Sequence, residues 1–203
     1  MAEVFRNSGL LPPADTSAEN GGQNYLLKSV PGGLVNINFG THTCVHMGTQ
    51  IWPDESVEAP THVSYPLPAL NSNLAPLYTL VMMDMDNGNY LHWMIVNIPG
   101  SKVNDGQVVT GYVAPAPKEN TGSHRYVFLV MRQDGDEFEF PAQTAQSACD
   151  ETGRAGFDLE TFREENQLSE PIAANYFTLE YDEFVDTIQN TCQTGSKPVS
   201  FAK

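Results

Sequence analysis

The chain has 203 residues, 40% of them hydrophobic and 10% aromatic, spread along its length, which is enough to bury one core and argues against a disordered or collagen-like chain. A formal charge of -15 opposes nucleic acid and anionic membranes through long-range repulsion, so any anion has to be captured locally. No run of about 18 apolar residues occurs, which excludes a spanning helix.

The opening, "MAEVFRNSGLLPPADTSAENGG", lacks the charged, apolar and small-residue order of a secretory signal. Its Pro, Gly and Ser content is read as a flexible segment over 1–24, ahead of one domain over 25–192 and a tail over 193–203. A cytoplasmic address is the expectation, with non-classical secretion left open. Cys44, Cys149 and Cys192 cannot all pair within one chain and are read as free thiols.

In chain order, "LVNINF" alternates Val35, Ile37 and Phe39 with Asn36 and Asn38, the period of a half-buried strand, and "THTCVHM" continues it. The prolines of "WPDESVEAPTHVSYPLPALNSN" exclude a helix and leave loops with an edge strand. "LYTLVMMD", "LHWMIVNI" and "HRYVFLVMR" are nearly continuous apolar runs, as expected of strands covered on both faces. Asn87-Gly88 between the first two predicts a tight antiparallel hairpin. Next, "PGSKVNDGQVVTGYVAPAPKENTG" is a long connection holding one strand, and such connections carry function. Asp158 caps a predicted helix over 159–167 that Pro171 stops, "ANYFTLE" reads as a strand, and Tyr181, Phe184, Val185, Ile188 and Cys192 share a helix face. The fold class is therefore mostly β, an antiparallel sandwich with late helices, and Cys192 is expected to face the core.

Asp84 and Asp86 end the first central strand and His92 opens its partner, while His124 and Tyr126 share one face of a third. If these strands are neighbours, one pocket gathers Asp84, His92, His124 and Tyr126. Two imidazoles and a phenol, oriented by a carboxylate, suit a small oxyanion; closing out a hairpin in water is the bland alternative. Two further constellations read as incidental. His42, Cys44 and His46 share a strand face, but alternate residues stand too far apart for one metal ion and form a polar outer face instead. Ser123 beside His124 points to the opposite face, and no G-x-S-x-G elbow is present.

The segments "YTLVMMDMD", "LHWMIVNIPG", "GYVAPAPKENTGSHRYVFLVMRQ" and "FDLETFREENQLSEPIAANYFTLEYDEF", in this order over roughly residues 26 to 190, resemble the phosphatidylethanolamine-binding protein family. The most specific is Tyr-Val, a proline-bearing loop and Gly-x-His-Arg-Tyr before an apolar strand. What the resemblance implies is a sandwich with C-terminal helices and a pocket for phosphate or phospholipid head groups, without metal or cofactor. It also implies a regulatory rather than enzymatic role, with a kinase or protease as protein partner, and a monomer is expected. Carried over by motif, Asp84 is the pocket carboxylate, His92 and His124 its histidines and Tyr126 its phenol; Ala116 and Pro117 lie on the lip loop. Asp86, Tyr90 and Phe177 complete the set, Phe177 near a pocket-mouth position. Met85 stands where the family has proline, "NGN" shortens one wall, Tyr90 replaces a tryptophan, and no counterpart of the family's Cys-x-Pro-Arg segment is found in "DGDEFEFPAQTAQSACDETGR". Two functions follow: a head-group binder whose occupancy modulates a partner, or an inhibitor or scaffold with a vestigial pocket.

Overall fold

In the computed structural model, residues 1–14, 25–69, 76–134, 137–139 and 151–194 are described, the last five by backbone alone. The elements are α1 (Ala2–Asn7), β1 (Gly33–Leu34), β2 (Asn36–Phe39), β3 (Thr43–Cys44), β4 (Thr49–Gln50), β5 (His62–Ser64), β6 (Leu77–Asp84), β7 (Tyr90–Pro99), β8 (Gln107–Thr110), β9 (His124–Gln133), α2 (Leu159–Glu165), β10 (Leu168–Leu179) and α3 (Phe184–Thr194).

Among the described residues, the large sheet runs β1-β10-β9-β6-β7-β8 with β4 also on β10, and a small sheet runs β3-β2-β5. The expected β-sandwich with C-terminal helices is found. Its antiparallel character has two exceptions, β1 and β4, which pair parallel with β10.

Alternation explains why the central runs are apolar throughout. Leu80, Met82, Tyr126, Phe128 and Phe177 face the small sheet and pack with Ile37 and Phe39. Val81, Met83, Val127, Leu129 and Tyr176 face the other way, under Phe5, Leu10, Leu11 and Leu159. Each such side chain, once buried, contributes roughly 1.5–3 kcal/mol relative to exposure.

That second cover corrects the reading of the opening. Residues 2–7 are helical, and Phe5, Leu10 and Leu11 are buried rather than loose in solvent. Arg125 ties this arm down by donating to the Ser8 carbonyl. The polar composition of the segment hid three apolar anchors; its continuation over 15–24 lies outside the described residues.

The β6–β7 hairpin forms as expected, but its turn is longer. Positive φ falls on Gly88 and Asn89, at 60° and 55°, one residue later than the expected Asn87-Gly88 pair. Asp158 caps α2 by accepting from the Glu160 and Thr161 backbone N–H groups, and the helix ends at Glu165. Pro171 lies within β10, at an irregularity in its pairing with β9, where a missing N–H does least harm. Val185 and Ile188 of α3 are buried, whereas the Cys149 and Cys192 side chains fall outside what is described.

Candidate functional site

The register of the three central strands assembles the site. Asp84 pairs with Tyr126 on β9 and with Tyr90 on β7, so the carboxylate strand is flanked by both histidine strands at one end of the sheet. Between Met83, paired with Leu91, and Met82, paired with Trp93, β7 carries one extra residue, His92. The His92 imidazole stands edge-on to Tyr126, with ring centroids 5.2 Å apart.

Two neighbours hold the bulge. The His92 carbonyl accepts from the Val113 N–H at 2.9 Å, and the Val113 carbonyl lies 2.8 Å from His92 Nδ1. Arg154, fully buried, donates to the carbonyls of Leu91 (3.0 Å), His92 (3.3 Å) and Gly111 (3.0 Å). A guanidinium meeting several carbonyls in a planar fork fastens the bulged strand to the connection after β8.

His92 and His124 are both buried, yet their bonding differs. Burial lowers the His92 pKa to about 4, despite the opposing pull of the Val113 carbonyl and Asp84. The ring is therefore neutral at pH 7 with its proton on Nδ1, and Nε2 is an acceptor with no hydrogen-bond partner among the described residues. His124 Nδ1 lies 2.7 Å from Asp84 Oδ2, and its Nε2 lies 2.9 Å from Thr121 Oγ1. Thr121 spends its single hydroxyl proton on the Lys118 carbonyl at 2.7 Å, so it accepts from Nε2–H. Asp84 also accepts from the Asp86 N–H. His124 is thus held at both nitrogens, by Asp84 on the inner side and by Thr121 on the outer.

The same polarity bears on nucleophilic catalysis. Thr121, His124 and Asp84 lie in the order of a nucleophile, base and orienting carboxylate. The Thr121 hydroxyl, however, donates to the Lys118 carbonyl at 2.7 Å rather than to the imidazole.

Tyr126 is fully buried, and its hydroxyl makes no well-formed hydrogen bond among the described residues, although the Asp84 carboxylate lies near enough to act on it. Burial, reinforced by the Asp84 charge, pushes its pKa above the usual phenol range, so it remains an O–H donor. Its ring stacks on Phe177 at 5.1 Å and on His124 at 6.4 Å.

The expected residues are thus only partly gathered. Asp84, His92, His124 and Tyr126 come together, and half-buried Tyr90 sits edge-on to His92 at 5.0 Å. Ala116 and Pro117 lie on the 111–123 connection, whose Val113 and Thr121 hold the two imidazoles. Asp86 is committed elsewhere: it accepts from the Arg125 backbone N–H at 2.7 Å and pairs with its guanidinium at 2.5 Å. Burial raises its carboxyl pKa, but those Arg125 bonds outweigh this and hold it low. Phe177 is fully buried beneath Tyr126 rather than at a mouth, because its place opposite Tyr126 in the β10–β9 register turns it into the core. The expectation of two histidines and a phenol as free donors is reduced to one unpaired donor, Tyr126, with His124 already engaged.

The sequence does not signal Arg154 or Thr121: the first lies in the segment without a counterpart of the family's Cys-x-Pro-Arg, and the second is an untitratable hydroxyl on a turn. Exposed His42, Cys44 and His46 stay apart, and among the described residues no group of three His, Cys, Asp or Glu could hold a metal. Two clefts of about 390 and 460 Å³ lie elsewhere, one lined by His62, Trp93 and Lys102, the other by Val30, Leu67 and Ile172. No helix among the described residues is long and apolar enough to cross a membrane.

Residues 41–177 match the family model described as phosphatidylethanolamine-binding protein. A Drosophila melanogaster protein, provisionally named odorant-binding protein A5, is 30% identical over 142 residues, covering 65% of this chain and 66% of that protein. The 26 kDa secreted antigen of Toxocara canis is 29% identical over 181 residues, covering 85% of this chain and 62% of the antigen. The chain thus spans somewhat under two thirds of the length of these relatives. Among solved structures, a carboxypeptidase Y inhibitor complexed with its cognate proteinase shares the fold, with a TM-score of 0.61 at 20% identity over 75% of this chain and 85% of that one.

Proposed function

The chain belongs to the phosphatidylethanolamine-binding protein family, and from that premise we propose that it is a non-enzymatic binding protein whose His92–His124 end receives a small oxyanion, either free phosphate or a phospholipid head group. Occupancy modulates a protein partner, of which a kinase or a protease is the class we favour. The observation that carries this reading is the Tyr126 hydroxyl, buried without a well-formed hydrogen bond among the described residues on a ring that contacts both imidazoles at a sheet end. A buried hydroxyl left without a partner costs about 1–3 kcal/mol, and an incoming oxygen recovers it.

The chemistry of the guest follows from the protons. Tyr126 O–H donates, while neutral His92 Nε2 accepts, so a ligand that brings both an anionic oxygen and a donor satisfies both. The donor is the hydroxyl of a singly protonated phosphate or the ammonium of an ethanolamine head group. Asp84 is engaged by His124 Nδ1 and by the Asp86 N–H, so its oxygens are occupied within the site. No metal or cofactor enters this reading, and a cytoplasmic monomer is part of it; the secreted name of the Toxocara relative weighs against that location.

A second reading, an inhibitor or scaffold with a vestigial site, is favoured by one observation: Thr121 already fills the outer bond of His124. Calorimetry at pH 6.5 separates the two. Saturable binding of inorganic phosphate or O-phosphorylethanolamine is expected, and a preference for the ester together with binding to phosphatidylethanolamine vesicles points to the lipid source. Absence of heat at millimolar concentrations of both leaves the second reading.

A further inference from the structure

The Thr121 hydroxyl occupies the place that a ligand oxygen would take on His124. It lies 2.9 Å from Nε2, at the outer side of a ring whose inner nitrogen is held 2.7 Å from Asp84. Thr121 itself is exposed, and its bonds are local: its hydroxyl and its backbone N–H both reach back to the Lys118 carbonyl, at 2.7 and 3.3 Å. On either side the backbone is left-handed, with φ of 66° at Asn120 and 78° at Gly122. The turn therefore presents the hydroxyl to the imidazole without burying it in the core.

Resting on the oxyanion reading above, we propose that Thr121 is an internal competitor for the site: its hydroxyl stands in for the ligand oxygen on His124, and binding proceeds by exchange of the one for the other. The exchange is selective by charge. A hydroxyl offers Nε2–H a neutral acceptor, whereas a phosphate oxygen offers an anionic one, and hydrogen bonds with an ionised acceptor are shorter and roughly twice as strong. A phosphate monoester displaces Thr121 while a neutral alcohol, no better an acceptor than Thr121 itself, does not. Thr121 thus weakens all ligands by the strength of one neutral hydrogen bond and excludes those that cannot repay it.

The direct test is calorimetric titration of the full chain with inorganic phosphate at pH 6.5, comparing wild type, Thr121→Val and Thr121→Ser, with glycerol as the neutral probe. Thr121→Val removes the hydroxyl at nearly constant shape and is expected to bind phosphate roughly fivefold tighter, the equivalent of about 1 kcal/mol. Thr121→Ser keeps the competitor and is expected to stay near wild type, and wild type is expected to ignore glycerol. Equal or weaker phosphate binding by folded Thr121→Val overturns the inference while leaving the anion site standing. Phosphate binding by none of the three removes the site and the inference together. A second readout needs no variant: in wild type the Thr121 methyl and His124 ring resonances should follow one phosphate saturation curve, and a Thr121 signal that stays still while His124 moves overturns the exchange.

Discussion

Strand β7 bulges twice, at opposite ends, and the two bulges have different fates. Near the hairpin the extra residue is His92; toward the other end, between Ile95 and Ile98, the β6–β7 register slips again and Asn97 takes a left-handed φ of 55°. The Asn97 bulge is closed. Its backbone N–H donates to Gln133 Oε1 at 2.8 Å, its Oδ1 accepts from Gln133 Nε2 and the Phe138 N–H at 2.9 Å each, and its Nδ2 donates to the Phe138 carbonyl at 3.0 Å and Gln107 Oε1 at 3.3 Å. Thr79 adds a bond to Gln133 Oε1 at 3.1 Å. At the His92 bulge, Nε2 and the Tyr126 hydroxyl have no well-formed hydrogen bond among the described residues. Both ends bury polar groups in a low-dielectric sheet, where unpaired groups are costly. The contrast is between the two bulges and not between whole ends of the sheet, since Tyr78, opposite Ile98 beside the closed bulge, also keeps a buried hydroxyl without a partner among the described residues.

The largest effect that can break this contrast is at the closed end. Gln133→Leu strands the Asn97 amide and the Thr79 hydroxyl together, and denaturant unfolding is expected to show a loss of about 3–4 kcal/mol. Next comes acid. Because His92 has a pKa of about 4 when folded and 6.5 unfolded, the unfolded chain takes up the proton first. Stability is then fully present above pH 6.5 and is lost progressively toward pH 4, by roughly 3 kcal/mol at most. Unfolding curves across that window should lose this slope in His92→Asn. At the open end the sign reverses: Tyr126→Phe removes a buried hydroxyl without a hydrogen-bond partner among the described residues, so the unfolding free energy is expected to hold or to rise, by up to about 1–3 kcal/mol, rather than fall. Phosphate affinity in the same variant should fall roughly tenfold, or about 1.4 kcal/mol. A large stability loss in Tyr126→Phe with unchanged affinity would reverse the assignment of the two ends.

Much of this architecture is legible in the chain. Continuous apolar runs in β6, β7 and β9 announce strands buried on both faces, and strand ends carrying Asp84, His124 and Tyr126 converge once those strands are neighbours. The His92 bulge is not legible, since one extra residue leaves no mark in an apolar run: alternation from Tyr90 already puts His92 on the Tyr126 face, and the bulge shows only in Trp93 sharing that face. Arg154 acts on Leu91 and His92 from far along the chain, through backbone carbonyls that any sequence offers, so no local pattern reveals it. Phe5, Leu10 and Leu11 were masked by the Pro, Gly and Ser around them. Thr121 escapes notice for a related reason: its role depends on where its one proton goes, which only the turn geometry fixes.

The most direct test of the open end is an NMR titration of the wild-type protein with phosphate, following the rings of His92, His124 and Tyr126 beside the side-chain amides of Asn97 and Gln133. The predicted result is saturable shifts at the three rings, with the two amides unmoved as an internal reference. Still rings at millimolar phosphate, or amides that move with them, would contradict it.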